Sequence, residues 1–178
     1  MAKATILFAD NDPDFLKARA EFLEAEGYLV VPAADPTETR RKLELGRIDL
    51  AIVDIRLVND DDEKDTSGLT LAKEVARTVP KIILTGFPSY EYVREALAPQ
   101  MDGLPAAVDF VEKLEGPEAL LAAIRKALSV PKGEQAEAAA LRVARRVETE
   151  EEQVEGPVPM YRTQTQKRCG HSSALSPR

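Results

Sequence analysis

The chain has 178 residues, 44 % of them apolar and 31 % charged, with a formal net charge of −7. This suits one globular core with an appendage and argues against nucleic-acid binding by the chain as a whole. No run approaches the ~20 apolar residues of a membrane span, and the N-terminus enters a strand pattern without a signal-peptide h-region, so a cytoplasmic protein with no membrane contact is expected. One cysteine, Cys169, excludes an internal disulfide framework, and one histidine, His171, removes most histidine chemistry and Cys/His-rich zinc sites.

The first strand is expected over 4–9; its apolar run Thr5-Ile6-Leu7-Phe8-Ala9 stops at Asp10-Asn11-Asp12. Asp12-Pro13 then places a capping side chain before a proline at the first helical position. Phe15, Leu16, Phe22 and Leu23 make the apolar stripe of that helix, and Gly27 follows it as a C′ residue. A second strand over 28–32 leads to Asp35-Pro36, with Glu38 three residues after Asp35 as in a capping box. The third strand, 49–54, ends in Asp54. A helical stripe follows through Leu69, Ala72, Val75, Ala76 and Val79. The fourth strand, 81–85, ends in Thr85-Gly86. The fifth, 107–111, is followed by Lys113, and Gly116-Pro117-Glu118 opens a last helix striped by Leu120, Ile124, Ala127 and Leu128.

These strands are continuous Val/Ile/Leu runs rather than strict alternations, the pattern of strands covered on both faces. Five strands alternating with helices predict an α/β, doubly wound, flavodoxin-like parallel sheet in the order 2-1-3-4-5. Ligands of such sheets bind beyond the carboxyl ends of the strands, at the switch point between strands 1 and 3. Residues 1–130 are expected to form this domain. Residues 131–155 should be a linker or short helix, striped by Ala136, Ala140, Val143 and Val147. Residues 156–178, polar and proline-bearing, are expected to be a disordered tail.

The polar residues that end the apolar runs therefore meet at one edge. A carboxylate at a strand tip, Asp54, can accept a phosphoryl group as an acyl phosphate. Attacker and donor are both anionic, so a divalent cation is needed, and Asp10 is well placed as its first carboxylate ligand. Lys113 can neutralise a further phosphoryl oxygen, Thr85 can donate a hydrogen bond to another, and Gly86 leaves room for the incoming group. Taken singly, each residue is more often a turn, cap or solvated side chain; Asp12 in particular reads as the cap of the first helix. Their order and shared location carry the reading.

The segments Ile6-Leu7-Phe8-Ala9-Asp10-Asn11-Asp12-Pro13, Asp54-Ile55-Arg56-Leu57, Leu84-Thr85-Gly86-Phe87 and Asp109-Phe110-Val111-Glu112-Lys113 resemble, in this order over residues 4–129, those of response-regulator receiver domains. The resemblance implies a phosphorelay protein in which Asp54 accepts a phosphoryl group from a histidine kinase or phosphotransfer protein. It implies Mg²⁺, or Mn²⁺ in its place, near Asp10, Asn11, Asp54 and the backbone carbonyl of Arg56. Thr85 and Phe110 match the switch pair, and the face of the fourth helix, fifth strand and fifth helix would change its affinity for a downstream protein or a second copy of the chain. Such a domain is a phosphoacceptor rather than an enzyme, at most dephosphorylating itself slowly.

Three features depart from the family pattern. Asn11 stands where a second acid is usual, which removes a charge from the metal site, with Asp12 next to it as a compensating acid. Leu114 follows Lys113 where proline is usual. The loop 58–67 is long and very acidic; a solvated loop is its plain reading, with cation attraction or kinase selection as the functional one. It lacks the glycine and terminal glutamate of an EF-hand. The main alternative is a pseudo-receiver, a phosphorylation-independent binding or dimerisation module. A nucleotide-binding domain is set aside because the nine glycines form neither G-x-G-x-x-G nor a P-loop. An aspartyl-phosphate hydrolase would need a cap domain. With no helix-turn-helix pattern after residue 130, output by protein contact is expected, without direct nucleic-acid binding.

Overall fold

The computed structural model describes residues 2–129. The expected segments 131–155 and 156–178 lie outside the described residues. Five parallel strands, β1 (Thr5–Ala9), β2 (Leu29–Ala33), β3 (Leu50–Asp54), β4 (Lys81–Thr85) and β5 (Asp109–Glu112), form one sheet in the order β2-β1-β3-β4-β5. The helices are α1 (Pro13–Ala25), α2 (Pro36–Leu45), α3 (Ser67–Glu74), α4 (Tyr90–Leu97) and α5 (Gly116–Ser129), with a 3-10 turn, Lys113–Glu115, leading into α5. The predicted doubly wound architecture and strand order are therefore found.

Alternate strand residues build two cores. Leu7, Ala9, Ala51, Val53 and Ile83 pack with Leu43 of α2, Leu69 and Ala72 of α3 and Ala96 of α4. Ile6, Phe8, Leu50, Ile52, Ile82 and Leu84 pack on the other face with Leu16 and Leu23 of α1 and Leu120 and Ile124 of α5. Because both faces of the central strands are covered, polar residues in β1, β3 and β4 stand only at strand termini: Thr5, Asp54, Lys81 and Thr85. Full burial of each large aliphatic side chain contributes about 1.5–3 kcal/mol.

The caps act as expected, with one refinement. Asp12 Oδ1 accepts from the amides of Asp14 and Phe15 at 3.0 and 3.1 Å. Asp35 Oδ1 accepts from Glu38 N at 2.8 Å, but Glu38 Oε2 reaches one residue past the expected box and takes the amide of Ala34, also at 2.8 Å. Gly27 has φ +89°, the left-handed conformation of a C′ residue.

Several boundaries differ from the sequence reading. β1, β2 and β3 each begin one residue later than expected, and β2 and β5 each end one residue later. β5 begins at Asp109 rather than 107, because Ala107 N donates to Ala96 O at the end of α4 and is drawn off the sheet. The third helix stops at Glu74 instead of running on through Val79. Ala76 sits at φ +45°, and Val79 N donates back to Ala76 O.

Lys81 holds this turn. It is fully buried at the start of β4, and its Nζ donates to Ala76 O at 2.8 Å and Val79 O at 3.1 Å. Burial, with the charge of Arg77, pushes its pKa down to about 8. The unfolded chain then binds the proton more tightly than the fold does between pH ~8 and ~10.5, so stability should rise with pH across that window, by up to about 3 kcal/mol. Lys81→Met should abolish the slope. Urea midpoints at pH 7.5 and 9.5 check this; a wild-type midpoint that stays level would show that the ammonium is not desolvated.

Candidate functional site

The ends of β1, β3, β4 and β5 place Asp10, Asp54, Thr85 and Lys113 along one sheet edge. Asp10, Asp54 and Thr85 are each no more than 1 % exposed. Such burial of two carboxylates needs compensation, and Lys113 supplies it. Its Nζ lies 2.8 Å from Asp54 Oδ2 and 2.9 Å from Asp10 Oδ2. Lys113 also sits over the ring of Phe15, 4.8 Å from its centroid, a cation–π contact that fixes the ammonium from the α1 side. Asp10 Oδ1 accepts the amide of Asp12 at 3.0 Å. Leu114, the departure from the family pattern, is exposed, and Lys113 meets both carboxylates with leucine after it.

The electrostatics follow from this geometry. Burial raises the pKa of Asp54 to about 6, against the opposing pull of Lys113, with Asp10 and Asp60 adding to the rise. Burial likewise raises Asp10, opposed by Lys113. For Lys113, burial alone would lower the pKa; the Asp54 and Asp10 carboxylates outweigh it and the net shift is upward.

The oxygens that remain suit a hard divalent cation. Asp54 Oδ1 and Asn11 Oδ1 are buried without a hydrogen-bond partner among the described residues. With Asp10 they form an all-oxygen donor set of the kind Mg²⁺ takes. Among the described residues no three His, Cys, Asp or Glu side chains are grouped closely enough to hold a metal, so the set here is two carboxylates and an amide. Asp12 Oδ1 is committed to two amides at the start of α1, so only its other oxygen is left to make good the missing acid.

Thr85 Oγ1 accepts the amide of Phe87 at 3.2 Å. Phe110, on β5 opposite Ile83, is half-buried and packs against the α2–α3–α4 core beside which Tyr92 also lies. Arg56, two residues past Asp54, is buried. Its guanidinium donates to Asp60 O at 2.6 Å and stacks 4.1 Å from the centroid of Phe87, whose ring is itself exposed.

Sequence reading missed four residues here. Phe15 beneath Lys113, the Arg56 side chain and Tyr92 carried no signal beyond apolar or charged helix and loop positions. Gly68 did carry one, as a glycine in the first turn of a helix, where its low propensity asks for a reason. The reason is contact: a Cβ there would stand 1.7 Å from the carbonyl oxygen of Asp54. Gly86, by contrast, has open space around it, with Lys113 Cδ the nearest atom to an added Cβ at 3.8 Å.

Comparison with known proteins shows the family. The family model of the response regulator receiver domain matches residues 6–125. The transcriptional regulatory protein GlrR of Escherichia coli strain K12 is 35 % identical over 128 residues, 70 % of this chain and 26 % of that protein. The chain thus spans about a quarter of the length of that relative. A CheY-like response regulator receiver domain protein from Methanospirillum hungatei JF-1 aligns with TM-score 0.60 and 29 % identity, covering 76 % of this chain and 98 % of its own. A response regulator from Burkholderia pseudomallei, solved with a phosphorylated aspartic acid, a calcium ion and citrate, aligns with TM-score 0.57 and 25 % identity, over 88 % of this chain and 76 % of its own. With the match running from β1 into α5, the chain belongs to the response regulator receiver domain family, a signalling domain of two-component systems.

Proposed function

We propose that this receiver accepts a phosphoryl group on Asp54 from a histidine kinase or phosphotransfer protein and relays the change to a protein partner. The observation that carries the reading is the asymmetry of Asp54: Oδ2 is held by Lys113, while Oδ1 is buried and unpartnered. An Asp54 oxygen attacks phosphorus, the bond from phosphorus to the donor nitrogen breaks, and the proton needed by the leaving imidazole comes from the donor side or solvent. Lys113 stays on the carboxylate pair and offsets charge as it builds on the phosphoryl oxygens. Asp10, Asn11 and Asp54, with the Arg56 carbonyl, would hold Mg²⁺, which when bound supplies the positive charge that lets two anions approach.

Thr85, at the end of β4, would turn its hydroxyl toward the phosphoryl group, and Phe110 would move inward behind it. Phe87, Tyr90 and Leu97 are exposed on or beside α4, an apolar surface suited to a protein partner or a second copy of the chain. Among the described residues no helix is long and apolar enough to cross a membrane. A cytoplasmic location and output without direct nucleic-acid contact belong to the same proposal.

Acetyl phosphate or beryllofluoride, each with Mg²⁺, tests the reading on the full chain. The expected result is a mass increase of one phosphoryl group on Asp54 with the first reagent and NMR shifts at Thr85 and Phe110 with the second. At limiting Mg²⁺, phosphoryl acceptance should fall as pH drops through about 6, where the metal-free Asp54 carboxyl takes up a proton, and saturating Mg²⁺ should move that fall to lower pH. No response to either reagent would leave the pseudo-receiver reading, which the uncharged Asn11 in the metal set favours.

A further inference from the structure

The acidic loop 58–67 is a built body. Asp65 Oδ2 accepts the amides of Val58 and Asn59 at 2.9 and 2.8 Å, and its Oδ1 accepts that of Ser67 at 2.8 Å. Asp62 Oδ1 accepts from Lys64 N at 2.9 Å, and Asn59 Oδ1 from Asp61 N at 3.0 Å. Five amides are thus answered from within the loop, so a pull at one end is felt at the other.

Two ties leave this body for the segment after β4. The hydroxyl of Tyr92, on α4, donates to Glu63 O at 3.0 Å. Arg56 grips Asp60 O at 2.6 Å and lays its guanidinium on Phe87, 4.1 Å from the ring centroid. Phe87 in turn donates its amide to Thr85 Oγ1 at 3.2 Å. A closed circuit results: Thr85, Phe87, Arg56, the loop, Tyr92 and α4. In this arrangement the Thr85 oxygen is engaged by Phe87, and Thr85 cannot swing toward Asp54 without dragging or releasing Phe87.

We propose that loop 58–67 is a strap between the phosphoacceptor strand and α4, with Tyr92 the positioning residue that weights the domain toward the arrangement in which Thr85 engages Phe87. The strap rests on the reading of Asp54 as phosphoacceptor. Its effect is a population shift: a tie made in only one of two arrangements lowers the share of the other, and so the apparent affinity of any ligand that needs the other. The tie is a single exposed hydrogen bond to a backbone carbonyl. Its loss should move the balance about 2- to 10-fold.

The test compares the full-length wild type with Tyr92→Phe, which keeps the ring against the core and removes only the hydroxyl. Tyr28→Phe is the control, since Tyr28 precedes β2, away from α4, and its hydroxyl has no hydrogen-bond partner among the described residues. Two readouts are taken. Amide hydrogen exchange without additives should be about 2- to 10-fold faster along α4 in Tyr92→Phe and unchanged in the control. The beryllofluoride concentration that half-saturates the protein with Mg²⁺ present should fall by a similar factor. Unchanged exchange and half-saturation in Tyr92→Phe, or equal changes in the control, would overturn the strap. If the wild type takes no beryllofluoride at all, the phosphoacceptor reading fails and the coupling with it, while the exchange rates still decide whether Tyr92 holds α4.

Discussion

Asp54→Asn is expected to abolish phosphoryl acceptance and, in the same step, to make the metal-free protein more stable. Loss of acceptance follows because an amide does not attack phosphorus as a carboxylate does. The gain in stability follows from burial. The Asp54 carboxyl has its pKa raised from 3.8 to about 6 in the fold, so the native state binds the proton more tightly than the unfolded chain. The stabilising contribution is fully present below pH ~4 and is lost as pH rises through ~6. At pH 7 to 8 the ionised Asp54 therefore weakens the fold, and its neutral replacement should add about 1–3 kcal/mol. Lys113 keeps Asp10 as its partner in the variant, which limits any loss from the broken ion pair. Urea unfolding at pH 7.5 in EDTA should show the gain, and saturating Mg²⁺ should narrow it by stabilising the wild type. A variant no more stable than the wild type in EDTA would mean that the buried carboxylate is better solvated than its surroundings imply. A variant that still gains a phosphoryl group would place the acceptor elsewhere.

Gly68→Ala is expected to be among the most damaging single changes in the domain, at about 3 kcal/mol or more. The added Cβ would lie 1.7 Å from Asp54 O, 2.9 Å from Asp54 C and 3.1 Å from a Val53 methyl. The first two are backbone atoms and cannot swing aside. Either α3 retreats, breaking the bonds from Gly68 N to Ile55 O and from Leu57 N to Ser67 Oγ, or the Asp54 peptide shifts and takes the carboxylate with it. Phosphoryl acceptance should therefore fall along with stability. Gly86→Ala is the matched comparison: its Cβ meets only Lys113 Cδ, at ordinary contact distance, and stability should change by less than about 1 kcal/mol. Urea denaturation of the two variants side by side checks the contrast; equal effects would show that the close approach of α3 to β3 is not what Gly68 provides.

These two glycines show where sequence reading reached and where it stopped. Gly86 is legible because it follows Thr85 at a strand end, a local pattern. Gly68 is not, because its need for a bare Cα comes from a carbonyl fourteen positions earlier, brought close only when α3 packs against the end of β3. The same division runs through the site. Asp10, Asp54, Thr85 and Lys113 could be picked out because each interrupts or follows an apolar run, and strands covered on both faces leave no room for polar groups before their ends. Phe15 under Lys113 and the Arg56–Phe87 stack left no such mark, since a side chain's partner across an element boundary is not written in its own neighbourhood.

The sequence by itself determined the strand order, the edge at which the site lies and the residues that face it. Apolar runs, caps and proline positions are local, and the handedness of parallel crossovers leaves few ways to assemble them. Only the tertiary structure decided how the charges balance: one ammonium shared by two buried carboxylates, one Asp12 oxygen spent on α1, and Asn11 and Asp54 each left with a buried oxygen that has no hydrogen-bond partner among the described residues. Those outcomes depend on distances of a few ångströms between residues far apart in the chain. Electrostatic and desolvation energies change by whole kilocalories over such distances, and no pattern of residue types encodes them.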